Sequence, residues 1–84
     1  MKTFADIKRR LTEGAIVTMT RHDYGRCQTI GVPRRIVKRQ SNAIQFEGGS
    51  WLRLDRPASE YIPEGEDGFL VRLHDDKFIQ YRFN

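Results

Sequence analysis

The chain of 84 residues has few of the residue types that cross-link small proteins or hold metal ions. Cys27 is the single cysteine, which excludes an internal disulfide and is consistent with a reducing compartment. We interpret it as a partly buried residue at the end of a strand rather than as a nucleophile. The two histidines, His22 and His74, lie far apart in the sequence and form no ligand-spaced pair. We therefore expect neither a metal ion nor another cofactor.

Long apolar runs are also missing. No stretch approaches the length of a membrane span, and residues 1–10 contain no apolar run of signal-peptide type. From this we expect a cytoplasmic protein with no membrane partner. The length suits one domain, residues 1–84, at the small end of what a single core can stabilise.

The net charge of +4 is unevenly distributed along the chain. Residues 1–39 contain ten Lys or Arg residues and three acids, whereas residues 40–84 contain five bases and eight acids. This asymmetry predicts a basic face for an anionic partner and an acidic region elsewhere. Most of these acidic residues lie within residues 55–68, which also contain two prolines and two glycines. This segment is predicted to form a loop anchored by Tyr61 and Ile62.

The N-terminal segment predicts an amphipathic helix of about ten residues, which must dock on a sheet to be stable. Thr3 and Asp6 have the spacing of a capping box, and Gly14 is placed to act as the C-terminal cap. The apolar face of this helix holds Phe4, Ile7 and Leu11.

Alternating and β-branched segments after the helix predict about five to seven antiparallel strands. They lie at residues 15–22, 27–32 and 34–40, within residues 43–54, and at residues 69–74 and 77–83. The predicted fold class is α+β, with the helix packed on a strongly bent antiparallel sheet or on a small SH3-like or Sm-like half-barrel.

The stretch Arg34–Leu54 predicts three strands joined by two tight turns. A loop over Gln40–Asn42 would place Ile36 opposite Phe46 and Lys38 opposite Ile44. The Gly48-Gly49 turn would place Phe46 opposite Trp51 and Ile44 opposite Arg53. In this register both faces are mixed, and Phe46 and Trp51 are expected in the core. For the last hairpin, a loop over Asp75–Lys77 would place Phe69, Val71 and Leu73 opposite Phe83, Tyr81 and Ile79.

No group of residues has a spacing typical of catalysis. Gly48-Gly49-Ser50 lacks the strand–loop–helix context of a phosphate-binding loop, and Asp75-Asp76 is explained by turn formation. Nothing indicates a pair of buried carboxyl groups with separated pKa values. We therefore predict a binding protein rather than an enzyme.

Two binding functions remain open. The first is nucleic-acid binding, in which basic side chains contact phosphates; the candidates are Arg34, Arg35, Lys38, Arg39 and Arg53. Because these bases interleave with Phe46 and Trp51, they resemble a cationic groove with aromatic platforms, although a simple solvated face is also open. The alternative is a protein-binding inhibitor or regulator of a host complex, using the acidic residues Glu60, Glu64, Glu66 and Asp67. A homodimer is compatible with both.

Three short segments carry a resemblance to a group of proteins. They are the helix end Lys8-Arg9-Arg10-Leu11-Thr12, the basic strand from Arg35 to Gln40 with Ser41-Asn42-Ala43-Ile44, and the turn Gly49-Ser50-Trp51-Leu52. In these segments the chain, up to about residue 59, resembles short uncharacterised proteins of bacterial phages and other mobile elements. The resemblance implies action on nucleic acid or on a host protein. It implies no particular site residues.

Overall fold

The computed structural model describes residues 1–25 and 29–84, which form one short α-helix and a seven-stranded antiparallel sheet. The elements in chain order are α1 Phe4–Arg10, β1 Ile16–His22, β2 Pro33–Gln40, β3 Ala43–Phe46, β4 Trp51–Arg53, a 3-10 turn Ala58–Glu60, β5 Tyr61–Glu64, β6 Gly68–His74 and β7 Lys77–Phe83. The strand order is β4-β3-β2-β1-β7-β6-β5. Over the described residues the sheet is not closed, so β4 and β5 are its edges.

The predicted capping box of α1 is confirmed. The Thr3 side chain accepts a hydrogen bond from the Asp6 N–H, and the Asp6 carboxylate accepts one from the Thr3 N–H. The helix is only seven residues long and ends at the C-cap Leu11, so Gly14 is not its cap. Gly14 does have positive φ (92°), but in the turn before β1, where its N–H donates to the Ile36 carbonyl.

The hydrophobic core lies between α1 and the inner face of the sheet. Ile7 and Leu11 of the helix are completely buried, and the ring of Phe4 stacks on that of Tyr61 with 4.0 Å between centroids. The sheet contributes Val17, Met19, Ile36, Ile44, Phe46, Leu52, Leu54, Phe69, Val71, Tyr81 and Phe83. One hydrogen bond links the two edge strands, because the Tyr61 hydroxyl of β5 donates to the Arg53 carbonyl of β4 at 3.0 Å.

Strand β2 is shared between two neighbours. Its first residues, through Arg35, pair with β1, whereas Ile36 onward pairs with β3. The β2–β3 register shifts between Ile36 and Lys38, so Val37 is an extra residue and is exposed. Such a bulge bends a strand and reverses the faces of the residues that follow it.

Two of the sequence-based boundaries need correction. No strand forms at residues 29–32, because Gly31 has positive φ and Ile30 makes only an isolated bridge to Met19. The other residues of that predicted strand, 27 and 28, lie outside the described part of the chain, and so does the interpretation of Cys27. The predicted loop at 55–68 contains the edge strand β5. Pro63 is tolerated there because an edge strand need not donate every N–H.

The expected hairpin registers are also partly wrong. Ile36 pairs with Phe46 as predicted, but the Val37 bulge and a two-residue Ser41-Asn42 turn bring Lys38 opposite Gln45. The β3–β4 loop has three residues, 47–49, rather than the two of the expected Gly48-Gly49 turn, and this pairs Trp51 with Gln45 instead of Phe46. In the last hairpin the expected pairing is wrong by two residues, because Phe69 pairs with Tyr81 and Val71 with Ile79. A shift of two residues keeps the same face, so Phe69, Val71, Tyr81 and Phe83 are buried together as expected.

Within residues 1–25 and 29–84, no helix has the length and apolar composition needed to cross a bilayer.

Candidate nucleic-acid interface

The outer face of β2, β3 and β4 gathers basic, amide and aromatic side chains, and we call it the outer face below. Two cross-strand rows define it: Lys38, Gln45 and Trp51 form one row, and Gln40, Ala43 and Arg53 form the other. Arg35 lies on the same face, because it stands between the buried residues Arg34 and Ile36 and successive side chains of a strand point to opposite faces. Three of the five predicted basic residues, Arg35, Lys38 and Arg53, are therefore together.

Trp51 is the aromatic centre of the outer face. It is 44% exposed, which is high for the largest side chain in the protein. The Lys38 Nζ lies 6.0 Å from the centroid of its ring, at the outer limit of a cation–π contact. The expectation that Trp51 belongs to the core is wrong, because a change of one residue in register moves a side chain to the opposite face of a sheet.

A shallow groove with a volume of about 520 Å³ lies beside Trp51. Its lining combines the indole ring, the Arg53 guanidinium and the polar side chains of the β2–β3 turn; the residues are Gln40, Ser41, Asn42, Ala43, Trp51 and Arg53. Small Ala43 lies between the Gln40 and Arg53 side chains in its row, so the groove has a low floor at that position. The volume lies within the range of about 300–1,000 Å³ that is common for small-ligand sites.

The three cations of the outer face differ in how they are held. Arg53 donates to the Asp55 carboxylate at 2.7 Å, and this hydrogen bond holds the pKa of Asp55 below its ordinary value. Lys38 and the guanidinium of Arg35 make no ion pair with any described residue. Arg35 is anchored through its backbone, whose N–H donates to the Glu47 carboxylate at 3.0 Å. Two cations without an ion pair and one ion-paired cation therefore share the outer face with Trp51.

Arg34 and Arg39 do not lie on the outer face. Arg34 is only 8% exposed, and its guanidinium carbon lies 4.3 Å from the ring centroid of Phe46. Arg39 is half-buried and pairs with Ile44, which is fully buried on the inner face. The Val37 bulge causes this division, because strict alternation would place Lys38 with Arg34 and Arg39 with Arg35.

The acidic residues of the alternative interface lie around β5 and the turn that follows it, and most contact neighbouring polar groups. Glu60 pairs with Arg72 at 3.4 Å, and Asp67 pairs with Arg10 at 3.1 Å. The Glu64 carboxylate accepts a hydrogen bond from the Gln80 amide, and the Glu66 carbonyl accepts one from Arg10. Because Arg10 is engaged with this acidic segment, the end of α1 does not extend the basic outer face.

The sequence-based prediction did not place Gln40 and Gln45 on the outer face and placed Trp51 in the core. One signal in the sequence could have corrected the β3–β4 register. A three-residue loop of Glu47, Gly48 and Gly49 supplies two positive-φ positions (95° and 101°) that only glycine adopts freely. The register that follows pairs Ile44 with Leu52, and both are buried on the inner face.

The outer face presents an aromatic ring, hydrogen-bonding groups and positive charge. Among the described residues, no group of three or more His, Cys, Asp or Glu side chains converges as metal ligands would. The lining of the groove is an aromatic ring, a guanidinium and neutral hydrogen-bonding groups. Such a surface can stack a planar ring and neutralise an anion beside it.

Comparison of this chain with protein-family models, with curated protein sequences and with solved structures gives no match.

Proposed function

We propose that the protein is a non-enzymatic module that binds single-stranded nucleic acid on the outer face of β2–β4. The observation that carries the proposal is the exposed Trp51 between Lys38 and Arg53, beside an open groove. A nucleobase stacks on the indole, and the flanking cations, with Arg35, contact the phosphates. The amides of Gln40 and Gln45 offer hydrogen bonds to base edges.

A single strand fits this surface better than a duplex does. Stacking on a side chain requires an unpaired base, and a duplex presents its bases only as edges within grooves. The described part of the outer face offers one large aromatic platform and no helix that could enter a major groove. Sequence preference on such a site comes from stacking and backbone flexibility, so we expect it to be weak.

The proposal extends to the architecture and setting of the protein. We assign the sheet to the SH3-like or Sm-like half-barrels, supported by the bent, shared strand β2 and by the Tyr61–Arg53 hydrogen bond between edge strands. A cytoplasmic protein of a phage or mobile element is the setting we propose, on the resemblance of its short segments. A homodimer is compatible with the proposal.

The test is fluorescence anisotropy with labelled oligothymidylate and oligouridylate at about 50 mM and about 200 mM salt. We expect affinity to fall with salt, with a log–log slope of about −0.7 for each phosphate contact. Neutralising Lys38→Gln and Arg53→Gln together removes two such contacts, so the slope becomes shallower by about 1.4. Trp51→Ala lowers the affinity by about 1–3 kcal/mol, the usual contribution of one stacked base.

A matched control neutralises two exposed bases that lie outside the outer face, Lys77→Gln and Arg82→Gln. It makes the same change in net charge and leaves Trp51 and the groove untouched. Nucleic-acid binding on the outer face is refuted by lack of binding at low salt, or by equal losses in the control and in the Lys38/Arg53 double variant.

A further inference from the structure

An exposed apolar patch adjoins the basic outer face. Ile16 is 37% exposed and Val37 is 46% exposed, although both are large aliphatic residues. Ile16 lies directly opposite Arg35, and Val37 follows Arg35 by two positions along β2. Opposite residues, and residues two apart in a strand, share a face, so the side chains of Ile16 and Val37 flank Arg35 on the outer face. We call these two residues the aliphatic patch.

The aliphatic patch lies beside two cations that make no ion pair. Neither the Arg35 guanidinium nor Lys38 is within salt-bridge distance of an acid among the described residues. Glu47 adjoins Arg35 on the side of β3, but its carboxylate accepts a hydrogen bond from the Arg35 backbone N–H, at 3.0 Å. Apolar surface next to such cations fits a ligand in which a flat ring is joined to an anionic group, as it is in a nucleotide.

Strand geometry sets the distance between Trp51 and the aliphatic patch. Adjacent strands are about 4.8 Å apart and residues rise about 3.4 Å along a strand, which places Val37 about 10 Å and Ile16 about 16 Å from Trp51 along the sheet. A stacked nucleic-acid strand rises about 3.4 Å per nucleotide, and a strand extended over a protein reaches about twice that. The patch therefore lies about two nucleotides from Trp51, with Lys38 between them.

We infer that the aliphatic patch is a second base-binding subsite of the outer face. One base stacks on Trp51, and the base two nucleotides along the strand packs on Ile16 and Val37, while Lys38 and Arg35 contact the intervening phosphates. The inference rests on the proposed function and defines its ligand. That ligand is a short single strand of about three to four nucleotides, at the lower end of the footprints of single-strand binders.

The length of ligand that fills both subsites can be measured directly. Trp51 is the only tryptophan, so quenching of its emission reports the binding of unlabelled oligonucleotides. We would titrate the full chain with di-, tri-, tetra- and octathymidylate, because the thymine methyl group packs on apolar side chains. We expect the affinity to rise about fivefold or more from the dinucleotide to the tetranucleotide, the contribution of one further base. From there to the octanucleotide it should rise only through the larger number of equivalent binding positions.

Ile16→Thr combined with Val37→Thr tests the aliphatic patch itself. Both replacements are β-branched and lie at exposed positions, so the strands should be retained. We expect this variant to bind the tetranucleotide about fivefold more weakly and the dinucleotide as the wild type does. Tyr24→Thr is the control, because Tyr24 is 55% exposed in the turn after β1, at the opposite end of that strand from Ile16. The control should keep both affinities.

Arg35→Gln provides a second test that leaves the aliphatic side chains in place. It should make the log–log salt dependence of tetranucleotide binding shallower by about 0.7 and leave that of the dinucleotide unchanged, because only the longer ligand reaches Arg35.

The outcomes separate this inference from the proposed function. Absence of quenching at every length refutes the proposed function itself. If oligothymidylate binds but the di- and tetranucleotide have equal affinities, nucleic-acid binding stands and the second subsite is overturned. The same holds if the Ile16/Val37 variant loses affinity for both lengths equally, or if it and Arg35→Gln both bind the tetranucleotide as the wild type does. A steady rise with each nucleotide up to the octanucleotide also overturns the inference, because it would indicate a continuous track.

Discussion

Two aromatic residues flank the β3–β4 loop and have opposite environments. Phe46 is 2% exposed, with the Arg34 guanidinium over its ring and the Tyr81 ring stacked 6.1 Å away. Trp51 is 44% exposed and contacts Lys38. A large exposed aromatic residue contributes little to a core and remains available to a ligand. The fold therefore depends on Phe46, and the proposed stacking depends on Trp51.

We predict that Phe46→Ala destabilises the protein by about 3–5 kcal/mol, as truncation of a buried Phe usually does. Trp51→Ala should change the free energy of unfolding by less than about 1 kcal/mol, because much of the ring is already in water. Urea unfolding followed by far-UV circular dichroism measures both variants in the same way. A cost for Trp51→Ala that equals the cost for Phe46→Ala would place Trp51 in the core.

At the scale of elements, α1 is stabilised locally by its capping box and globally by docking. Asp6 accepts hydrogen bonds from the N–H groups of Lys2 and Thr3 and pairs with Arg9 at 2.9 Å. These bonds, the one from Lys2 first, lower the pKa of Asp6 from its ordinary value of 3.8 to about 2. A seven-residue helix is too short to be stable alone, so the cap and the burial of Ile7 and Leu11 act together.

The Asp6 pKa predicts a pH dependence. Because the folded state lowers this pKa, the stabilisation is fully present above the unfolded value near pH 4 and is lost as the pH falls toward 2. We expect Asp6→Asn to unfold more easily than the wild type at pH 7, and the difference to shrink as the pH falls through that range. Unfolding at several pH values measures it. Glu13→Gln, at an exposed carboxylate beyond the helix, is the control, and an equal effect there would contradict the role of the cap.

Elements that are determined by local sequence could be predicted, whereas features that are determined by packing between strands could not. Local signals sufficed for the capping box, for β1 and for the apolar face of β6 and β7. Pairing registers were harder, because the Val37 bulge and the length of the β3–β4 loop are set by packing across strands. Those two features decide which basic residues share the outer face. Strand register, and not composition, places Arg35, Lys38 and Arg53 on one face and exposes Trp51 there.

At the scale of the whole molecule, the two charged regions are organised differently. The outer face leaves Lys38 and the Arg35 guanidinium without an ion pair among the described residues, whereas the carboxylates of Glu60, Glu64 and Asp67 contact Arg72, Gln80 and Arg10. Arg10 connects this segment to α1, and its guanidinium also lies 4.3 Å from the ring centroid of Phe83. The acidic segment is thus bound to its own helix and sheet, which favours the outer face as the binding surface.

The alternative function, a protein-binding regulator that uses the acidic segment, makes a different prediction. Glu64→Gln and Glu66→Gln would remove a protein partner on that hypothesis, whereas a charge-matched control, Asp75→Asn and Asp76→Asn at the β6–β7 turn, would keep it. If nucleic acid is the ligand, proteins recovered from cell extract are bridged by it, so we expect nuclease treatment to release them from the wild type. Both acidic double variants should then bind oligonucleotide slightly more tightly at low salt only, since screening removes a distant charge effect. A nuclease-resistant partner that is lost with Glu64 and Glu66 but kept in the control would instead assign the protein to the regulators.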